Sequence, residues 1–200
     1  MTRATRLTRD VVTDAALDLL DEVGLDAVST RRLAQRLGVE QPSLYWHFRN
    51  KEQLLAAMAE AAMTPHAQAP LPAPEDDPLE WFRDNARSLR RTLLQRRDGA
   101  RLHAGSRPAG DDLGRIEHKL AFLTSSGVPE TVARMALLAA GRFTVGSVLE
   151  EQADLGRERE EGIAPAVDHE AAFEAGLGLL ADGLARHANA HAHAGPGPRH

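Results

Sequence analysis

The stretch QPSLYWHF, residues 41–48, sets Gln41, Pro42, Ser43, Tyr45, Trp46 and His47 almost side by side, in a 200-residue chain with one tyrosine and two tryptophans. These side-chain types suit a planar, polar, charged surface. A glutamine amide pairs bidentately with adenine, and hydroxyls and aromatic edges reach phosphates and thymine methyls. A helix of about seven residues packs inward on only one face. Leu44 is the natural inward anchor, with Phe48 just past the helix, and Gln41, Ser43, Tyr45, Trp46 and His47 are left over. They could instead pack on the first helix, but Gln41, Ser43 and Arg31 flank them on the same side and favour an outward role. Asn50 and Lys51 follow where cap amides, charge and a helix dipole can hold a phosphate.

The elements that must position this stretch are legible around it. Thr8 is a plausible N-cap, Val12, Ala15, Ala16, Leu19 and Val23 follow at helical spacing, and Gly24 supplies a stop. Ser29 can cap a second helix, Thr30 to Leu37, which Gly38 ends. The third is expected at Gln41 to His47, with Pro42 near its start, where a missing N–H costs nothing. Asn50 and Gln53 form a capping box for a fourth helix through Met63. Two short helices joined by a glycine turn make a helix-turn-helix, whose second member enters the major groove. Proline and glycine fall between helical patterns and no alternating pattern occurs, so the fold class expected is all-α.

Charge is distributed to match. The chain totals −5, but residues 1–9 carry +3 and residues 27–51 carry +4, leaving −12 elsewhere. One basic end on an acidic protein suits a molecule that touches DNA with one face. There is no cysteine, which excludes disulfides and thiolate metal sites and suits a cytoplasmic location. The N-terminus lacks the apolar run of a signal peptide, and no apolar stretch approaches the ~20 residues of a membrane span, so no membrane partner is expected.

The second half reads as a ligand-binding and dimerisation domain. PHAQAPLPAPEDDP, residues 65–78, is a linker. A helix over about 79–97 carries Phe82, Ala86, Leu89 and Leu93 as its stripe, with polar Asn85 on the same line. Asn85 either bonds a neighbouring backbone group or faces a ligand. His103 ends a short helical pattern that Gly105, Ser106, Arg107 and Pro108 break, a suitable movable element. Helices follow over 112–126 and 129–153, the latter apolar almost all round and hence expected to be buried on most sides. Glu150 falls on that helix, where a charge needs a partner such as Arg142 or a metal. Residues 154–168 read as a charged loop and about 169–187 as a final helix able to join the 129–153 helix in an intersubunit four-helix bundle. The domains expected are 1–64, 65–188 and a disordered His-rich tail, 189–200. At the boundary of that tail His187 and His191, spaced i, i+4, could bind a transition metal.

TRRLAQRLGVEQPSLYWHFRNKEQLL resembles the DNA-binding domain of the TetR family of repressors, and RRTLLQRRDGARLHAGSRP and RFTVGSVLEEQ extend the match toward its tetracycline-binding members. The similarity is strong over about 1–64, patchy but collinear to about 153 and weak beyond. It implies an all-helical homodimer in which Thr30, Arg31, Gln41, Pro42, Ser43, Tyr45, Trp46, His47 and Lys51 match operator-contacting positions. It also implies that His103 binds the metal of a metal–drug chelate, that Ser106 and a partner-subunit glutamate matching Glu150 reach Mg²⁺ through water, and that Arg107 and Pro108 begin the trigger loop. Oxygen and imidazole ligands around retained waters suit Mg²⁺. Several drug-contacting positions depart from the family. A histidine aligns with Ala67, one place after His66; a stacking phenylalanine becomes Leu89; a glutamine becomes Lys119; a core-helix histidine becomes Arg142. Two new cations thus enter the ligand region, and a desolvated cation prefers an anionic partner.

The expected function is a transcriptional repressor that binds a palindromic operator as a homodimer and is released by a small molecule, with a tetracycline–magnesium chelate as the leading ligand. The alternatives are a repressor of the same type taking another polycyclic or anionic metabolite without metal, a metal-dependent enzyme built on His103 and Glu150, and a helical interaction module that has lost DNA binding. The sequence shows no nucleophile–base pairing, so no enzymatic activity is expected.

Overall fold

Capping and glycine stops define the first helices. In the computed structural model, which describes residues 7–104 and 111–193 (side chains of 7–104 and 112–189), α1 spans Arg9–Val23 and starts where the Val11 N–H donates to Thr8 Oγ1. Gly24, at φ 78°, closes it, and a 3₁₀ turn, Leu25–Ala27, leads on. α2 spans Thr30–Leu37; the Arg32 N–H donates to Ser29 Oγ, and Gly38 at φ 64° takes the left-handed conformation that only glycine adopts without strain. Regular helix in α3 covers only Gln41–Leu44, shorter than the spacing predicts. A turn carries the chain on, with His47 and Phe48 N–H groups both donating to Leu44 O.

α4 spans Lys51–Ala67 and opens on the expected box, Asn50 Oδ1 accepting from Gln53 N–H and Gln53 Oε1 from Arg49 N–H. It runs past Met63 and through Pro65, so the proline-rich linker begins at residue 68. α5 spans Pro78–Leu94, α6 Gly99–Ala104, α7 Asp111–Ser125, α8 Glu130–Glu161 and α9 His169–His193. Two expectations fail here. The charged stretch 154–161 is helix rather than loop, and α9 continues beyond 187 to His193 rather than dissolving into a tail. DLGREREE is built largely of helix formers, with Asp154 and Arg157 ion-paired one turn apart, and the left-handed Gly162 marks the true stop.

The chain forms two compact units. One comprises residues 1–65 with 92–106, the other 66–91 with 107–200. The first is cored by Val12, Ala16, Leu20, Leu33, Leu44, Phe48, Leu54 and Met58. Leu102 of α6 belongs to the same cluster. The second is cored by Phe82, Ala86, Leu120, Leu123, Ala133, Ala140, Phe173, Leu177, Ala181 and Leu184. In it α8 and α9 pack closely, and Gly176 has no room for a Cβ because the Phe143 ring lies against it.

α8 is not buried on most sides. Ala133, Ala140, Thr144 and Val148 form a buried line, while Met135 and Leu138 are 55% and 42% exposed. An 18-residue window of α8 has mean hydropathy 1.4, so by length and composition it could cross a membrane, contrary to the sequence reading. Its inward line packs instead against α7 and α9, the arrangement of a core helix with one open face.

Candidate nucleic-acid interface and ligand-site residues

The reading segment is anchored from below and open above. Leu44 and Phe48 are buried, whereas Trp46 is 87% and Tyr45 48% exposed, so these aromatics do not pack on α1. Thr30, Gln41, Ser43 and His47 are half-buried around the same surface, and Arg31, Pro42 and Lys51 are exposed. Gln41 links the two helices: its Nε2 donates to Thr30 Oγ1 at 3.0 Å and lies 3.3 Å from the Tyr45 hydroxyl. A glutamine tied at both sides is held in one orientation. Arg9, which sequence reasoning treated only as bulk charge, steadies the far end. Its guanidinium lies 4.6 Å from the Phe48 ring centroid and donates to His47 O.

The first unit also carries a polar clasp that sequence reasoning missed. Arg96 pairs with Asp21 at 2.6 Å, and Asp21 also accepts from Arg97 N–H. Leu25 N–H donates to Asp98 at 2.7 Å, and Arg101 forks onto Asp26. That pairing holds the Asp26 carboxyl below its usual range. Asp98, at φ 55°, pays the left-handed strain that lets the chain turn into α6. The spacing of these charges, some 75 positions apart, gives no periodic signal from which to find them.

Of the ligand positions, His103 lies in this unit, half-buried beside a shallow depression lined by Ala59, Met63, Arg96 and Gly99. Ser106, Arg107 and Pro108 lie outside the described residues. The second unit holds the others. His66 Nδ1 is 3.0 Å from Ser88 Oγ, Leu89 is buried, and Asn85 is half-buried with no side-chain hydrogen bond among the described residues. Glu150 and Arg142 are both exposed and form no ion pair with each other. It is Glu151 that pairs, with the buried Arg90 at 2.8 Å; Arg90 also meets Glu170 and lies over Phe173. Successive helical residues point about 100° apart, so fixing Glu151 inward turns Glu150 outward. Lys119 on α7 is half-buried, and burial lowers its ammonium pKa to about 8. His187 is exposed, and the side chain of His191 lies outside the described residues.

Comparison with known proteins accounts for this arrangement. The family pattern described as bacterial regulatory proteins, tetR family, matches residues 12–58, and a tetracyclin repressor-like C-terminal domain matches residues 71–167. The Escherichia coli tetracycline repressor protein class A from transposon 1721 is 44% identical over 199 residues, covering 91% of this chain and 92% of the relative. The chain belongs to the TetR family. Among solved structures, a TetR-family transcriptional regulator from Streptomyces coelicolor shares 64% identity at a TM-score of 0.73, covering 92% of this chain and 98% of the other. TetR(class A) in complex with 5a,6-anhydrotetracycline and magnesium shares 45% identity at a TM-score of 0.78, covering 90% and 99%. As a TetR-family repressor the chain is a DNA-binding transcription regulator, and its helix-turn-helix is α2 with α3.

Proposed function

We propose that the chain represses transcription as a homodimer on a palindromic operator and is released by a small molecule. The observation that carries the DNA-binding half is the combination of an exposed Trp46, Tyr45, Arg31 and Lys51 with a Gln41 pre-oriented by Thr30 and Tyr45. Such a surface is costly unless it meets a partner rich in acceptors and negative charge. Thr30, Arg31, Gln41, Pro42, Ser43, Tyr45, Trp46, His47 and Lys51 are the residues assigned to the operator. Two heads then address half-sites about 34–36 Å apart, one helical turn of DNA.

For the dimer, the support is the open face of α8 and α9. A groove of about 420 Å³ there is lined by Val132, Met135, Ala136, Ala139, Leu180 and Leu184. Leu179 of α9 is 74% exposed as well. An apolar two-helix face of this kind is half of a four-helix bundle.

For the ligand, the relatives' tetracycline supplies the first candidate: a planar polycycle presented with Mg²⁺. His66, Asn85, Leu89, His103, Ser106, Arg107, Pro108, Lys119, Arg142 and Glu150 are the positions assigned to it. Among the described residues no three His, Asp or Glu side chains form a ready-made cage. A divalent ion would therefore arrive already held by ligand oxygens, with the His103 imidazole binding it directly and Ser106 and Glu150 through retained water. Ligand and operator would compete through a shared two-state equilibrium, the segment from His103 to Pro108 and α4 being its moving parts.

The test is a gel-retardation assay of the full chain on palindrome-bearing DNA from upstream of its own reading frame, with tetracycline added with and without Mg²⁺. Retarded DNA released only by the pair supports the whole reading. Absence of retardation at low salt would end the repressor assignment. Retardation insensitive to tetracycline in both arms would remove the chelate and leave the repressor.

A further inference from the structure

Several cations of the first unit are cancelled locally by carboxylates: Arg36 meets Asp18 and Glu22, Arg96 meets Asp21, and Arg101 meets Asp26. Arg9 is placed differently. It has no ion pair among the described residues, and it opens α1, where a cation runs against the helix dipole. Neither the helix nor a carboxylate accounts for an arginine there. Its backbone is fixed on both sides: Thr8 caps the helix by accepting from Val11 N–H, and the buried Thr13 hydroxyl donates to Arg9 O at 2.9 Å. Side chains on a helix lean toward its N-terminus, so an arginine in the first turn projects past the helix end. There it meets the end of the reading segment, 38 positions along the chain.

The guanidinium lies 4.6 Å from the centroid of the buried Phe48 ring and donates to His47 O at 3.4 Å. A planar group can stack on a ring and donate in its own plane at once; a lysine ammonium has no such plane. The contact falls where the segment has least support from helix. Regular helix in α3 ends at Leu44, and the His47 and Phe48 N–H groups both draw on the single carbonyl of Leu44. The carbonyls beyond it are the orphan acceptors of a helix end. Tyr45 and Trp46 ride on this turn with exposed side chains. Their aim therefore depends on what holds residues 47 and 48, and Arg9 reaches that point from another helix.

We propose that Arg9 is a positioning residue for operator recognition. It acts through the turn at residues 47 and 48, which it holds so that Trp46 and His47 meet the DNA in one register, and it makes no phosphate contact of its own. This rests on the assignment of those two side chains to the operator. It gives the first turn of α1 a part in sequence preference, and it separates two uses of positive charge in the same unit: Lys51 attracts the duplex, whereas the Arg9 guanidinium is committed inside the protein.

The test uses the full chain and a palindrome that the unaltered protein enriches from random-sequence duplex DNA. Arg9→Met removes the charge; Arg9→Lys keeps it, loses the planar fork and guards against a folding defect in the first variant. Each is titrated with the palindrome and with a scrambled duplex of equal length. Both variants should lower the ratio of the two affinities about tenfold, the size of one misread base pair, with lysine recovering little of it. The slope of log affinity against log salt should stay that of the unaltered protein, because no phosphate partner has been removed. In the DNA-free chain, amide hydrogen exchange of the peptide covering residues 44–49 should quicken in both variants while that of residues 30–37 holds, a change that loss of a phosphate contact would not produce. A slope lowered by about 1 in Arg9→Met and restored in Arg9→Lys, with the ratio kept, would make Arg9 a phosphate contact and overturn the proposal. A ratio and an exchange rate both unchanged would overturn it as well. Failure of the unaltered chain to enrich any palindrome would instead sink the repressor reading itself.

Discussion

Gln41, proposed to read a base, shows how a single side chain can be held in advance. In the free protein its amide N–H groups are spent on Thr30 and Tyr45, leaving Oε1 the freer atom. A bidentate pair with adenine needs one amide N–H as well as Oε1, so one of those two bonds must open on the operator. Gln41→Ala should therefore relax preference at one base pair by ~1–3 kcal/mol, measured by competition among operator variants. Lys51→Ala should instead weaken all sequences alike and lower the slope of log affinity against log salt by about 1. Uniform weakening by the glutamine variant would move Gln41 from reading to positioning. Lys119 makes a prediction of the opposite kind, about stability without ligand. Its pKa falls from 10.5 unfolded to about 8 folded, so between those values the unfolded chain holds the extra proton. Stability should then rise with pH across that window and be lowest, for this group, below pH 8. The melting temperature of the unaltered protein, minus that of Lys119→Met, should climb from pH 7 to pH 10; a flat difference would show that the amine is well solvated. The outward aromatics were legible because one short helix cannot bury six side chains. Arg90 was not legible, because its pairing with Glu151 and Glu170 depends on three helices meeting, which no local pattern encodes.

At the scale of elements, starts and stops written in side chains were readable, and stops made by packing were not. Thr8, Ser29, Asn50, Gly24 and Gly38 all act where their chemistry places them. The fate of residues 154–161 was misread because charge density resembles a loop, whereas ion pairs one turn apart support a helix on an open face. The shortness of α3 was missed for a related reason. Its last turn is held by bonds to Leu44 O beneath a buried Phe48, a tertiary cause. Packing of α8 on α9 yields a direct test at Gly176, where an added Cβ would run into Phe143, itself stacked on Phe173 at 5.5 Å. Gly176→Ala should cost about 1–3 kcal/mol of stability by denaturant titration, despite alanine's better helix propensity. A gain in stability would mean the Phe143 ring yields easily. The clasp of Asp21 and Asp26 on Arg96 and Arg101, with Asp98 accepting from Leu25 N–H, marks α6 as part of the first unit's structure. If α6 also answers to ligand, Asp21→Ala should lower the ligand concentration that releases operator while leaving ligand affinity in the absence of DNA nearly unchanged.

For the whole molecule, the balance of charge and apolar surface decides the assembly. A chain of net charge −5 that concentrates positive charge near one end gains little from a single head, because the acidic remainder opposes approach to DNA. Two heads on one duplex double the phosphate contacts and convert the second binding step into an intramolecular one. The surface proposed for joining two copies is the α8–α9 face, where Met135 lines the groove and Leu138 and Leu179 stand exposed on the same two helices. Isologous packing would seat each of these against the partner's copy of the same face, burying large side chains worth ~1.5–3 kcal/mol apiece when fully covered. Charges placed there should act on assembly before they act on folding, since the positions are already solvated in the single chain. Leu179→Glu combined with Met135→Glu is therefore expected to shift sedimentation from dimer to monomer with unchanged helical content by circular dichroism. Operator affinity should fall by orders of magnitude, while the residual binding becomes indifferent to the spacing of the two half-sites. A variant that remains dimeric would place the subunit contact elsewhere, and one that becomes monomeric yet binds the palindrome as before would show that a single head suffices.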